Sequence, residues 1–261
     1  MTTEISPIAI GRKFGWVPDL PDARDIYYAV PKDISIPDCV NMEIDCPPVY
    51  DQSTLGACTA CSIGAVYQFE EMKQFGVENS ITPSRLFIYY NERVIEGTVS
   101  VDRGAMLRTG MKCVSAQGVC PEPDWPYIID RFAIRPTDKC YETALNYQVI
   151  QYQRLNQDLA TLQACLAAGN QFVCGISIFD SFQSMHVSRT GIVPMPIFSQ
   201  ERMIGGHAIV GIGYNNETRR FRMKNSWGTQ WGQNGYFEIP YEYLTNRNLS
   251  ADFWTIQMVE K

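Results

Sequence analysis

The side chains able to do chemistry are few enough to weigh one at a time. The chain has two histidines, His186 and His207, so imidazole chemistry must use one of them. The densest reactive segment is DQSTLGACTAC, residues 51–61, which ends in Cys58-Thr59-Ala60-Cys61. This C-x-x-C admits three readings. A redox dithiol (Cys58/Cys61) at a helix start would have its thiol pKa lowered by the dipole, but such a pair normally follows a strand. Here a proline-rich stretch precedes it. Half a zinc site would need a second ligand pair in a compact set, and neither a second C-x-x-C nor an H-x-x-x-H occurs. The third reading is one nucleophilic cysteine with a distant histidine. His207 lies roughly 150 residues after Cys58, a separation known for such pairs. It stands in GGHAIVGIGY, after two glycines that clear space beside the ring. Asn225 follows in KNSWGTQWGQNGYF, a carboxamide able to orient an imidazole. His186, in the polar context FQSMHVSRTG, reads as a surface residue.

The elements that would position these residues differ between the two halves. Residues 1–48 hold seven prolines and resist helix formation. They read as an extended arm, docked through Phe14, Trp16, Ile26, Tyr27 and Tyr28. A helix is expected from Ala57 to Phe75, with Ile63, Val66, Phe69 and Met72 three apart and Gly76 as its stop. A second has Thr82 as cap, Pro83 in its first turn and Gly97 as stop. A third runs through AMLRTGMKCVSAQ to Gly118, and a fourth from Asn156 or Asp158 to Gly169. From Phe172 the pattern turns strand-like: FVCGISIF, HAIVGIGY, RFRMKNSW, GYFEIP and FWTIQMV, with NNETRR as a hairpin loop. The fold class is α+β with segregated elements, in two lobes. Internal repeats and low-complexity segments are absent from the sequence.

Composition excludes several classes. Hydrophobic residues make up 45% and charged residues 19% of 261, which describes a globular chain. A net charge of −6 argues against a polyanion binder, so nucleic acid is not an expected partner. No apolar run is long enough to span a membrane, and the first 15 residues lack a secretory pattern. The location expected is cytoplasmic, or outside by a route without a signal peptide. Nine cysteines with odd parity leave at least one thiol unpaired, and reduced thiols are expected.

Taken in order, three segments make this chain resemble the papain family of cysteine peptidases, in a bacterial-type branch with a short N-terminal segment. Gln52 and Gly56-Ala57-Cys58 match its first motif, and His207-Ala208 its second. Asn225-Ser226-Trp227-Gly228 matches the third and continues into Trp231-Gly232 and Asn234-Gly235-Tyr236. The similarity covers about residue 35 to the end. It implies a helical lobe (residues 35–155, with Cys58) and an antiparallel β-barrel lobe (156–261, with His207 and Asn225), with the cleft between them. It also implies a cysteine endopeptidase, with Cys58 attacking the scissile carbonyl and His207 as general acid and base. Asn225 would orient the ring under the shield of Trp227, and Gln52 with the Cys58 N–H would hold the oxyanion. Gly104 would pair with substrate backbone, and Met106, Ile176, Gly205 and Ala208 would line an apolar pocket for the side chain two residues before the cut. A peptide or protein substrate is the expected partner of a monomer, and neither cofactor nor metal is expected. An acyl transferase or ligase on the same scaffold is the alternative function.

The sequence departs from the family at Leu55, where a disulfide cysteine is usual, and at Thr59, where a tryptophan is usual. Cys140 has no evident partner near Tyr90. The usual disulfides are therefore expected to be absent. Residues 1–34 are expected either to fold over the cleft and limit access or to pack on the back of a lobe.

Overall fold

A computed structural model describes residues 4–260; the first three residues of the arm lie outside the described part. Its centre is α1 (Cys58–Phe75), whose first fourteen residues, Cys58–Glu71, are all buried. Apolar positions three apart would by themselves cover one face of a helix. The helix is instead enclosed all round, because helices α2 (Arg85–Glu96) and α3 (Leu107–Ala116) flank it while strands pack against its other side. Only small residues at its start allow such close approach. Gly76, at φ 87°, ends it as expected.

The cap of α2 is Ser84, not Thr82: its hydroxyl accepts from Phe87 N at 3.1 Å, satisfying an N–H free at the helix start. Gly97 closes α2 in the left-handed conformation. Ala105–Met106, expected to open α3, forms the short strand β3, which pairs in parallel with β1 (Trp16–Val17) of the arm. Asp158 caps α5 (Leu159–Ala167), as anticipated. Three short helices lacked a legible period: α4 (Asp138–Ala144), α6 (Met185–Thr190) and α7 (Tyr241–Thr245).

The second half is built on one seven-stranded antiparallel sheet. Its order is β4 (Val149–Arg154), β9 (Ser250–Val259), β5 (Phe172–Phe179), β6 (Met203–Asn215), β7 (Arg220–Lys224), β8 (Tyr236–Pro240), with β2 (Cys39–Asn41) also on β6. β5 is buried at all eight positions, which explains its unbroken apolar run. NNETRR forms the β6–β7 hairpin, where Asn215 pairs with Arg220. Among the described residues the ladder does not close: β4 and β8 remain ends, so an open sheet stands where a barrel was expected. β2 and β4 come from the part of the chain expected to be helical, so the two layers exchange strands. One hydrophobic cluster surrounds α1 and a second fills the sheet side.

The arm is docked, as its aromatic content suggested, but not through every anchor. Trp16 and Tyr28 are buried; Ile26 and Tyr27 are exposed at 67% and 52%. The chain direction brings Tyr27 beside Arg154, and the Tyr28 N–H bonds its carbonyl while the side chains point elsewhere.

Candidate active site

Cys58 is the first residue of α1, where the free N–H groups and positive dipole end favour a thiolate. Across from it, β6 presents His207. The ring's Nε2 lies 2.8 Å from Asn225 Oδ1, and Nδ1 is buried with no hydrogen-bond partner among the described residues. Asn225 Oδ1 also accepts from Ser226 N at 2.8 Å, which fixes the carboxamide so that its oxygen faces the ring. Trp227 packs against His207 with ring centroids 5.3 Å apart, and Phe182 covers both rings. The Ala208 backbone N–H, next along β6, meets the Cys58 sulfur, so helix start and strand touch at this point.

Gln52 is oriented from the same loop. Ser226 Oγ donates to Gln52 Oε1 at 2.7 Å, which turns Nε2 toward the cleft. There Nε2 donates to the Lys13 carbonyl at 3.0 Å and to Leu55 O at 2.9 Å. The acceptor from Lys13 belongs to the arm. Residues 12–17 run through the cleft: the Phe14 ring lies 6.2 Å from His207 and 6.1 Å from Trp227. The Gly15 carbonyl accepts from Ala105 N at 2.8 Å. Arg12 pairs with Asp51 on one wall, and Lys13 with Asp102, 2.7 Å away, on the other. Asp102 in turn accepts from Gly56 N and Tyr89 OH.

Burial acts on both members of the pair. Cys58 and His207 have no exposed surface. Burial pushes the thiol up to about 11, against backbone N–H groups of Ala208 and Gly15 that pull it down. Burial also pushes the imidazole down to about 4, although Asn225 favours its charged form. With the arm docked, burial works against the charge on both groups.

The other expected residues separate. Gly104, at φ 79°, carries no Cβ where Gly15 of the arm crosses it, as a backbone-pairing site requires. Gly205 packs against Phe14. Met106 is half-buried and pairs with Val17, while Ile176 is fully buried in the sheet's apolar cluster. Ala208 and Trp227 lie at Cys58 and His207 rather than in a side pocket. His186 is exposed on α6, as its context indicated. Cys61 is buried three residues into α1, and burial pushes its thiol up strongly. All nine cysteines are free thiols. Among the described residues no cluster of His, Cys, Asp or Glu could hold a metal ion, and no helix is long and apolar enough to cross a membrane.

Sequence reasoning missed Phe182, the orienting role of Ser226, and a slot beside the cleft. Gly175 and Gly206, on neighbouring strands β5 and β6, accommodate the Trp16 indole; a Cβ on either would collide with it. Asp252 closes the slot's far end, where Oδ2 accepts from Trp16 Nε1 at 3.1 Å. A glycine inside FVCGISIF and an acid inside NLSADFW were the only signals.

The helix, the histidine strand and the asparagine loop meeting around a cysteine define a class of thiol protease. The chain belongs to the papain family cysteine proteases, whose family model matches residues 36–251. It is 38% identical to the uncharacterized peptidase C1-like protein L477 of Acanthamoeba polyphaga mimivirus, over 96% of this chain and 88% of that one. It is 41% identical to xylellain, a cysteine protease from Xylella fastidiosa, with a TM-score of 0.87 over 95% and 96% of the two chains. Human cathepsin L2 is 24% identical over 74% of this chain, which spans 56% of its length. Procathepsin B from Trypanosoma congolense shares the fold at 17% identity, with a TM-score of 0.77 over 96% of this chain and 87% of that one.

Proposed function

We propose that the chain hydrolyses peptide bonds through a Cys58 acyl-enzyme, and that residues 12–17 hold it in a closed, inactive form. The observation that carries this reading is His207: Asn225 takes its Nε2, leaving a buried Nδ1 free of partners to exchange a proton with the thiol. Once the arm leaves, water and the helix dipole stabilise the charged pair. The thiolate attacks the scissile carbonyl. Gln52 Nε2, now bound to the Lys13 carbonyl, receives the oxyanion together with the Cys58 N–H. His207 gives its proton to the leaving amine, then takes one from the water that releases the acyl group.

The C-x-x-C oxidoreductase reading loses ground because Cys61 is enclosed by the core. The test is mass spectrometry after incubation with an epoxide-type thiol-protease inactivator, comparing the intact chain with its Cys58→Ala variant. A single adduct, slow to form and lost in the variant, is expected. Labelling that persists in Cys58→Ala overturns the assignment.

A further inference from the structure

Cys140 has no cysteine beside it near Tyr90, yet its thiol lies against that of Cys120. The two come from different elements. Cys140 is in the first turn of α4, and Cys120 stands in the segment that follows α3. Contacts on both sides fix their approach. The Cys120 carbonyl accepts from the N–H of Ser84, the cap of α2, at 2.8 Å, and Pro121 bridges to Pro83. The Cys140 sulfur is 3.1 Å from Thr137 Oγ1 and 3.7 Å from the Asp124 carbonyl. It therefore points back at the turn that begins at Pro121, where Asp124 N donates to the Pro121 carbonyl. Both side chains are buried in the cluster around α1. Other buried thiols face different groups. Cys61 has Cys58 on its own helix, Cys113 faces Glu92 and Glu96, and Cys165 donates to the Asn170 carbonyl at 3.6 Å.

We infer that Cys120 and Cys140 form a redox site, joined as a disulfide by a small disulfide oxidant, and that the bond locks the loop 121–139 in place behind Gln52. That loop carries a support of the active-site wall. Tyr127 OH donates to the Gln52 carbonyl at 3.0 Å, its N–H donates to Glu122 Oε1 at 2.7 Å, and Glu122 pairs with Arg85 at 2.6 Å. A bond between Cys120 and Cys140 pins both ends of this support. In the first step one cysteine, as thiolate, attacks the oxidant; a mixed disulfide forms, and one small thiol leaves with the proton. The second cysteine, as thiolate, then attacks the protein sulfur of that mixed disulfide, and the other small thiol leaves. The two protein thiols give up two protons and two electrons, and the oxidant is reduced to two thiols. Burial pushes the Cys120 thiol up strongly, so thiolate is scarce and exchange waits on local opening of the loop.

The experiment incubates the full chain with bis(2-hydroxyethyl) disulfide at mildly alkaline pH. It is done in buffer and in urea too dilute to unfold the chain, which speeds local opening. Remaining thiols are blocked with iodoacetamide in denaturant, and the chain is mapped by mass spectrometry without reduction. Peptides linked through Cys120 and Cys140 are expected, and are lost in Cys120→Ala and in Cys140→Ala. Exposed Cys39 should carry a mercaptoethanol adduct, which shows that the oxidant is active. The linked chain should melt about 5–10 °C above the reduced chain, as expected for closing a loop of this length. Neither variant should show that rise. Cys39 modified while Cys120 and Cys140 are both alkylated, in buffer and in urea, overturns the inference. So does a bond from either of them to any other cysteine; the unsubstituted chain decides this even if a variant fails to fold. A linked chain that melts no higher than the reduced one overturns the lock.

Discussion

Replacing Trp16 by alanine should open the cleft, and the size of the effect follows from where the indole sits. In the docked arm it is 8% exposed, fills the slot over Gly175 and Gly206, and bonds Asp252. In a released arm it would be in water. Truncating a buried aromatic to alanine costs about 3–5 kcal/mol, all of it charged to the closed form. The closed-to-open ratio should therefore fall by roughly 150- to 5,000-fold. Lys13→Ala is the control. Its ion pair with Asp102 involves a side chain 53% exposed, and such pairs contribute about 0–1 kcal/mol, so less than about fivefold is expected. The assay is the rate of Cys58 alkylation by iodoacetamide under pseudo-first-order conditions, read by mass spectrometry. If closure is weaker than the loss, the rate reaches a plateau set by the open enzyme, which a Phe14→Ala/Trp16→Ala double variant defines. A Trp16→Ala rate within threefold of the parent, well below that plateau, would refute the claim that the indole holds the arm in place.

Closure should also depend on pH. Burial and the neighbouring Asp252 raise the arm's Asp19 from 3.8 to about 6, against Trp254 Nε1 and Arg108, which favour its charge. Docking therefore takes up a proton: the contribution is full below pH 4 and is lost as pH rises through about 6. The alkylation rate of the parent divided by that of the open double variant should rise between pH 4 and 6.5; a falling ratio would contradict the buried pair of carboxylates. Arg12 lowers Asp51 below its usual value, an opposing effect confined to pH below 4. Ser226→Ala should lower kcat about 10-fold or more, because Gln52 loses the bond that turns its Nε2 to the cleft. Added to Gln52→Ala it should cost little further, and full additivity in a double-mutant cycle would sever the link. Cys61→Ala should keep peptide cleavage within a few-fold of the parent; its loss would return the dithiol to consideration.

The sequence alone carried the candidate residues and the order of the parts. Two histidines, with glycines beside one of them, selected His207. Small residues before Cys58 marked a helix start that something must approach closely. The change from a period near three to runs of β-forming residues at Phe172 set the division into helices and sheet. These are local properties, carried by residue type and spacing. Only the tertiary structure decided which surfaces meet. Nothing along the chain says that Lys13 offers its carbonyl to Gln52, that Ser226 sets the amide's direction, or that the sheet stays open at β4 and β8. Burial works against the charge on the thiol and the imidazole, and part of that burial comes from an arm distant in the chain. Asp252 shows the same division: an acid in a strand carries no message until Gly175, Gly206 and Trp16, far apart in the chain, converge on it.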